Sequence, residues 1–296
     1  MTKQSIAKLF ILTAGILAAP ALSVAGTEMK ESKEVKSVVE TAKESWITGD
    51  LGVTFVSEYI SRGLVLENQG AIGQPYLDLY FKLYEGDGFI NKVTFNFGLW
   101  SSIHSHPQTV GGTTDAWYEF DYTPGISVVF AKRFTATASY FEFDSPADNF
   151  GTARSVNLNI AFDDTDFLGA FALHPHAAVL YELKAPGFAG LGPEGWYYEI
   201  GIAPSHTFGP VTVTLPITVG LGDSAFYAGD NYGFASAGVN LSTPLSFIPE
   251  KWGVWTASAG YTYTNLGSTT QAFSKATQGD GDSNQHVFSG AIGLTF

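Results

Sequence analysis

From Leu51 to the C-terminus, apolar and polar residues alternate with a period of two in one segment after another. Leu77, Leu79, Phe81 and Leu83 alternate with Tyr76, Asp78, Tyr80 and Lys82. Val93, Phe95, Phe97 and Leu99 alternate with Thr94, Asn96 and Gly98, and Val156, Leu158 and Ile160 with Ser155, Asn157 and Asn159. Val211, Val213, Leu215, Ile217 and Val219 interleave with Thr212, Thr214 and Thr218. Successive side chains of a strand point to opposite faces, so each segment has one apolar face and one small or polar face. The pattern predicts strands at 51–61, 74–84, 92–102, 115–131, 134–144 and 153–163, then at 174–184, 195–205, 210–220, 232–242, 253–264 and 286–296. Pro124-Gly125 has the composition of a turn, but Tyr118, Phe120, Tyr122, Ile126, Val128 and Phe130 keep one parity through it. A turn resets the phase, so one long bent strand is expected there.

Periodicity alone does not separate a water-soluble sandwich from a membrane barrel. Three features favour the barrel. The apolar runs are about 9–11 residues long, enough for a tilted strand to cross hydrocarbon. Aromatic residues gather at strand ends, at Trp100, Trp117, Tyr118, Trp196, Tyr197, Tyr198, Trp252 and Trp255, where interfacial girdles sit. The chain stops on Phe296 with Phe288, Ile292 and Leu294 on the same face, which resembles the C-terminal signal read by barrel-assembly machinery. The expected fold is all-β, a transmembrane antiparallel up-and-down barrel of about twelve strands over residues 50–296. An even count puts both ends in the periplasm. External loops then fall at 62–73, 103–114, 145–152, 185–194, 221–231 and 265–285, and internal turns at 85–91, 132–133, 164–173, 206–209 and 243–252.

The N-terminus reads differently. Lys3 and Lys8, the apolar stretch from Leu9 to Ala19, and Ser23-Val24-Ala25 predict a signal peptide over 1–25, cleaved before Gly26. Residues 26–49 interleave lysines and glutamates around Val35, Val38, Val39, Ala42 and Trp46 at helical spacing. They predict a short periplasmic helix or a flexible leader.

Composition agrees with an exported barrel. Charged residues make up 15% of the chain and aromatics 15%, with 33 glycines and no cysteine, where soluble domains carry about a quarter charged residues. The net charge of −13 excludes the basic footprint that nucleic acid requires. The expected location is the outer membrane, in contact with its lipids and lipopolysaccharide.

The opening segment Ser57-Glu58-Tyr59-Ile60-Ser61-Arg62-Gly63 resembles the S-D-Y-x-x-R-G start of the outer-membrane porins grouped with TorF, with Glu58 in place of Asp. The resemblance covers this segment, the hairpin rhythm and the closing Phe296. It implies a porin.

Read as part of the first strand, Glu58 and Arg62 share parity with Thr54 and face the lumen or its outer mouth, about 13 Å apart by strand rise. Lys82 and Asp78 of the next strand are their candidate partners. Lumen acids are expected at Glu58, Asp78, Glu119, Asp121, Glu182 and Glu199, with Glu142 as a further candidate, and bases at Arg62, Lys82 and Arg154. An acid excess in a polar tube lowers the potential for cations. The expectation is passive diffusion of small polar solutes with mild cation preference, no enzymatic turnover and no cofactor. Two alternatives stay open, a lipid-modifying outer-membrane enzyme and a structural or adhesive barrel without conductance.

Metal and catalytic chemistry has little support. His104-x-His106 and His174-x-His176 put two imidazoles on one face of a strand, but the pairs fall at opposite ends of the barrel. Asp280-Gly281-Asp282-Ser283-Asn284 opens like a calcium loop, yet the twelfth position is Ala291 rather than Glu. There is no Gly-x-Ser-x-Gly elbow and no His-Glu-x-x-His run.

Overall fold

The computed structural model describes residues 45–106, 116–185 and 194–296. The expected signal peptide and almost all of the expected leader lie outside these residues. The strands in chain order are β1 (Ile47–Val56), β2 (Tyr59–Ser61), β3 (Leu64–Glu67), β4 (Ile72–Glu85), β5 (Ile90–His104), β6 (Trp117–Phe130), β7 (Phe134–Asp144) and β8 (Ala153–Phe162). They continue as β9 (His176–Lys184), β10 (Trp196–Ile202), β11 (Ser205–Phe208), β12 (Val211–Thr214), β13 (Ile217–Gly222), β14 (Tyr232–Pro244), β15 (Val254–Leu266) and β16 (Asn284–Thr295). Helix α1 (Thr165–Leu168) lies in the β8–β9 turn, and α2 (Ser268–Gln278) between β15 and β16.

Every wall strand pairs antiparallel with its sequence neighbours, and β1 closes the ring against β16, with Leu51 opposite Leu294 and Val56 opposite Ser289. Gly49 and Phe296 exchange both backbone hydrogen bonds at 2.9 Å, so the terminal aromatic residue sits in the closing seam. The result is a closed 12-strand barrel. β10 with β11 is one wall strand, broken beside Pro204, and β12 with β13 is the next, broken beside Pro216. Proline has no N–H to give the ladder. The breaks lie side by side, and the Leu215 N–H bonds the Pro204 carbonyl across them at 2.9 Å. Pro124 acts more mildly. β6 runs straight through it, and only the pairing to β7 skips Thr123 and Pro124.

The burial pattern gives the solvent of each face. Leu158 is 51% exposed, while its neighbours Asn157 and Asn159 are 5% and 7% exposed. Phe55, Ile126, Ile200, Ile217 and Leu241 likewise face outward. Thr137, Thr214, Thr218 and Ser236 face in and are buried. A polar interior inside an apolar surface is the reverse of a water-soluble sandwich. Closure leaves no unpaired edge, so the wall can stand in hydrocarbon.

The start of β1, the end of β16 and the shorter turns share one end of the barrel, the end that an even strand count assigns to the periplasm. The β6–β7 turn is three residues long, 131–133, with Ala131 and Lys132 both at positive φ, a conformation that suits a tight right-twisted hairpin. The β11–β12 turn centres on Gly209, at positive φ, later than the expected 206–209 because the Pro204 break extends the preceding strand. A row of rings lies along part of this end: Phe89 on Phe130, Phe130 on Phe134, and Phe134 on Phe162, with centroids 4.7–5.7 Å apart. Trp117 and Trp196 lie outside near the other rim. Three of the expected girdle aromatics do not. Trp100, Tyr118 and Tyr197 are buried inside the mouth, where they pack against the first external loop.

Candidate functional site

The first wall strand ends at Val56, not at Ser61 as the alternation suggests. The chain then turns inward. β2 and β3 form a small hairpin that pairs only with itself, and its residues Tyr59, Ile60, Leu64, Val65, Leu66 and Glu67 are buried. Its tip is Arg62-Gly63, both at positive φ, as in the two-residue turns that suit hairpin twist. A Cβ at Gly63 would lie 3.0 Å from the Gly233 carbonyl, so glycine is needed there for space as well as for φ.

One side of the hairpin packs on Val56, Ile72, Trp100, Tyr118, Phe150 and Phe273, the other on Leu180, Tyr197, Phe226, Tyr227, Phe234 and Leu266. These are the two buried apolar clusters among the described residues, and they fill the outer mouth. Fully burying one such side chain contributes about 1.5–3 kcal/mol. Polar contacts fix the depth. The Tyr59 hydroxyl donates to Glu119 at 2.8 Å, and the Tyr227 hydroxyl donates to the Arg62 carbonyl at 2.8 Å. Helix α2 covers β3, with the Gln278 amide donating to the Leu66 carbonyl at 2.8 Å.

Arg62 therefore hangs from a loop inside the lumen. Its guanidinium lies 3.7 Å from Glu182 and 5.5–5.8 Å from the ring centroids of Phe143, Tyr197 and Phe226. Its charge also acts on Glu119, Asp121 and Glu199. The Tyr197 hydroxyl donates to Glu199 at 2.6 Å.

The site residues expected from sequence sort as follows. Asp78, Glu119, Asp121, Glu182 and Glu199 all sit at lumen-facing positions of the wall. Glu119, Asp121, Glu182 and Glu199 converge on Arg62. Tyr118 is the extra residue of a bulge opposite Ser102 and Ile103, so it turns inward beside Glu119. Lys82 lies near the periplasmic end and pairs with Glu85 at 2.8 Å, far along the wall from the hairpin. Glu58 and Arg62 are not on the wall at all, because the strand that would carry them has ended. Glu142 and Arg154 belong to the outer face, bonded to each other at 2.8 Å, since both take the parity of exposed wall residues such as Val156 and Leu158. Asp50, expected at a break, is in β1 directly opposite Asp78 and adds a lumen acid that the sequence reading left out.

Glu58 lies in the bend between β1 and the hairpin. Burial first, and then Asp280 of the last external loop, push its carboxyl up to about 7. A raised carboxyl pKa means that the folded state holds the proton more tightly than the unfolded one. The stabilisation is complete below about 4.5 and fades as pH rises through about 7. We expect the hairpin of the wild type to be less protected from amide exchange at pH 8 than at pH 5. Glu58→Gln should flatten that difference, which exchange at Tyr59–Glu67 measured at both pH values checks.

The histidines do not form metal pairs. β5 ends at His104, which is wholly buried and stacked on Tyr118 at 4.4 Å, while His106 is exposed beyond it. The Ser102 hydroxyl is 2.8 Å from His104 Nε2, and Glu67 is 3.8 Å from Nδ1. The order is that of a hydrolytic relay, but all three side chains are wholly buried between the hairpin, which carries Glu67, and the wall, and the histidine–carboxylate contact exceeds hydrogen-bond length. They tie the hairpin to the wall. His174 precedes β9 at positive φ, so it does not share a strand face with His176. It gathers with Asp163 and Asp164, their ligand-type atoms within 4.8 Å. Those carboxylates already accept the N–H groups of Thr165, Leu173 and His174 and so close the turn. Partial burial opposes the charge on Asp164, but the Leu173 and His174 amides outweigh it and hold its carboxyl low. In the Asp280–Asn284 segment, Asp280 and Asp282 accept the backbone N–H groups of Asp282 and Asn284.

A closed barrel with an apolar exterior, aromatic belts and a polar interior defines an outer-membrane β-barrel protein, and this chain is one. No family model and no curated protein matches the chain. Among solved structures it is similar to the COG4313 outer membrane channel from Pseudomonas putida F1, with 11% identity over 87% of this chain and 100% of that one, and a TM-score of 0.51. It also aligns with the NanC porin, at 8% identity over 84% of this chain and 100% of that one, with a TM-score of 0.45. The outer membrane phospholipase A from Escherichia coli aligns at 12% identity over 83% of this chain and 92% of that one, with a TM-score of 0.43. At these identities the likeness describes the fold.

Proposed function

We propose that this protein is a porin-like channel for small polar solutes, with a preference for cations and with the hairpin as its constriction. The observation that carries the reading is the polar interior. Asp50, Asp78, Glu119, Asp121, Glu182 and Glu199 face in, whereas the described inward cations nearest them are Arg62 and Lys82, and Lys82 is paired to Glu85. An acid excess inside a low-dielectric wall raises the local cation concentration. The S-E-Y-I-S-R-G segment, which resembles the opening of the TorF-grouped porins, builds the hairpin: Ser57 bonds Phe288 at 2.9 Å, Tyr59 and Arg62 hold the lumen contacts, and Gly63 makes the turn. Lipopolysaccharide around the wall and barrel-assembly machinery acting on the β16 strand are the partners this reading carries.

Reversal potentials of the purified full chain in planar bilayers test the proposal. Under a salt gradient, potassium should permeate more readily than chloride, and Asp121→Asn with Glu199→Gln should bring the ratio toward unity. Anion selectivity would reject the cation preference. A silent bilayer, together with lipid hydrolysis that His104→Ala abolishes, would put the enzymatic alternative in its place.

A further inference from the structure

Resting on the channel reading, we propose that the cage now filled by Arg62 is a binding site for solutes bearing a guanidinium group, which enter by displacing the hairpin tip. Three aromatic rings face one guanidinium, each with its centroid within 6 Å, the distance at which a ring quadrupole attracts a cation. Glu182 supplies a carboxylate at 3.7 Å, and the same charge acts on Glu199, Glu119 and Asp121. A planar, weakly hydrated cation that can both stack and donate to carboxylates suits this combination better than a compact ammonium does.

The occupant is part of the protein, yet it is not part of the wall. Phe143, Glu182, Tyr197 and Glu199 belong to wall strands β7, β9 and β10, which are held by backbone ladders that do not involve the hairpin. Phe226 comes from a second external loop. Arg62 arrives on a hairpin that pairs with no wall strand. The cage therefore outlasts withdrawal of its occupant, and the tip stands in the place of a ligand. A solute with the same head group competes with Arg62 for the same contacts. Its binding to the cage favours the withdrawn hairpin, which couples recognition to passage.

The test uses the full-length protein in detergent micelles, titrated calorimetrically with L-arginine, with its neutral near-isostere L-citrulline, and with L-lysine. Wild type must release Arg62 before it binds, so its apparent affinity for arginine is low. Arg62→Ala should bind arginine at least about tenfold more tightly than wild type does, lysine less tightly than arginine, and citrulline not measurably. Glu182→Gln in the same background should weaken the arginine binding again. Arg62→Gln, which keeps the length of the side chain and drops its charge, is the second variant, and heat-modifiable migration confirms that each barrel is folded. Equal response to arginine and citrulline, or no gain in either Arg62 variant, would overturn the assignment. Conductance is measured separately. Arginine binding in a barrel that conducts nothing would sink the channel reading and leave the cage standing, whereas conductance without arginine discrimination would do the reverse.

Discussion

Replacing residues 58–71 with a short Gly-Ser connector should raise single-channel conductance several-fold over wild type. The wall makes this excision feasible, because Val56 and Ile72 are directly paired across β1 and β4, and hairpin connections of two to five residues are ordinary. No wall ladder is lost, since β2 and β3 pair only with each other. What is lost is the body that fills the mouth, including Tyr59 against Trp100 and Arg62 among its acids. Trp100, Leu180 and Tyr197 then face water, each at a cost of about 1.5–3 kcal/mol, so the barrel should also melt at a lower temperature. Conductance that stays at the wild-type value would show that the narrowest point lies elsewhere.

Leu158→Arg should destabilise the folded barrel in bilayers by about 2–4 kcal/mol, the cost of a cation on the lipid face near mid-membrane. Leu158 sits in the middle of β8, paired with Ala138 and Val179, and half of its surface points away from the protein. Asn157→Ser, one residue away on the opposite face, should leave the unfolding midpoint close to wild type. Unfolding by guanidinium chloride in lipid vesicles, followed through tryptophan fluorescence, measures both. Reversed effects would put Leu158 inside.

Much of this architecture is legible in the chain because the period of two is strict and the wall is regular. The span over 153–163 is confirmed within a residue at each end, since Ser155, Asn157 and Asn159 alternate cleanly with Val156, Leu158 and Ile160. Alternation fails where the backbone leaves the wall. Thr54 to Arg62 keep one parity, so the sequence suggests one strand, but at Ser57 the side-chain hydroxyl accepts the Phe288 N–H and the backbone leaves the wall beyond it. The chain does carry a warning: Leu64-Val65-Leu66 is an apolar run inside what reads as an external loop, and a loop facing water has no reason to hold one. Helix α2 left a similar trace. Gln271 to Ala276 are helix-tolerant residues, and Gly279 takes a left-handed conformation just past the end of the helix. Asp78, Glu119, Asp121, Glu182 and Glu199 are legible as inward-facing because parity places them, whereas parity misplaces Glu58 and Glu142. The gathering of Glu119, Asp121, Glu182 and Glu199 at Arg62 is not legible, because that depends on a hairpin contributed by a distant part of the chain, which no local period encodes.

The chain has no cysteine, so single-cysteine variants from 154 to 161 can each carry one nitroxide spin label, and its collision rates with oxygen and with a water-soluble nickel chelate can be compared in lipid vesicles. Labels at 156, 158 and 160 should collide mainly with oxygen, which concentrates in hydrocarbon, and those at 155, 157 and 159 should not. An oxygen profile with no period of two, or with its maxima at the asparagine positions, would contradict a wall that turns its apolar side to lipid and its polar side to the lumen.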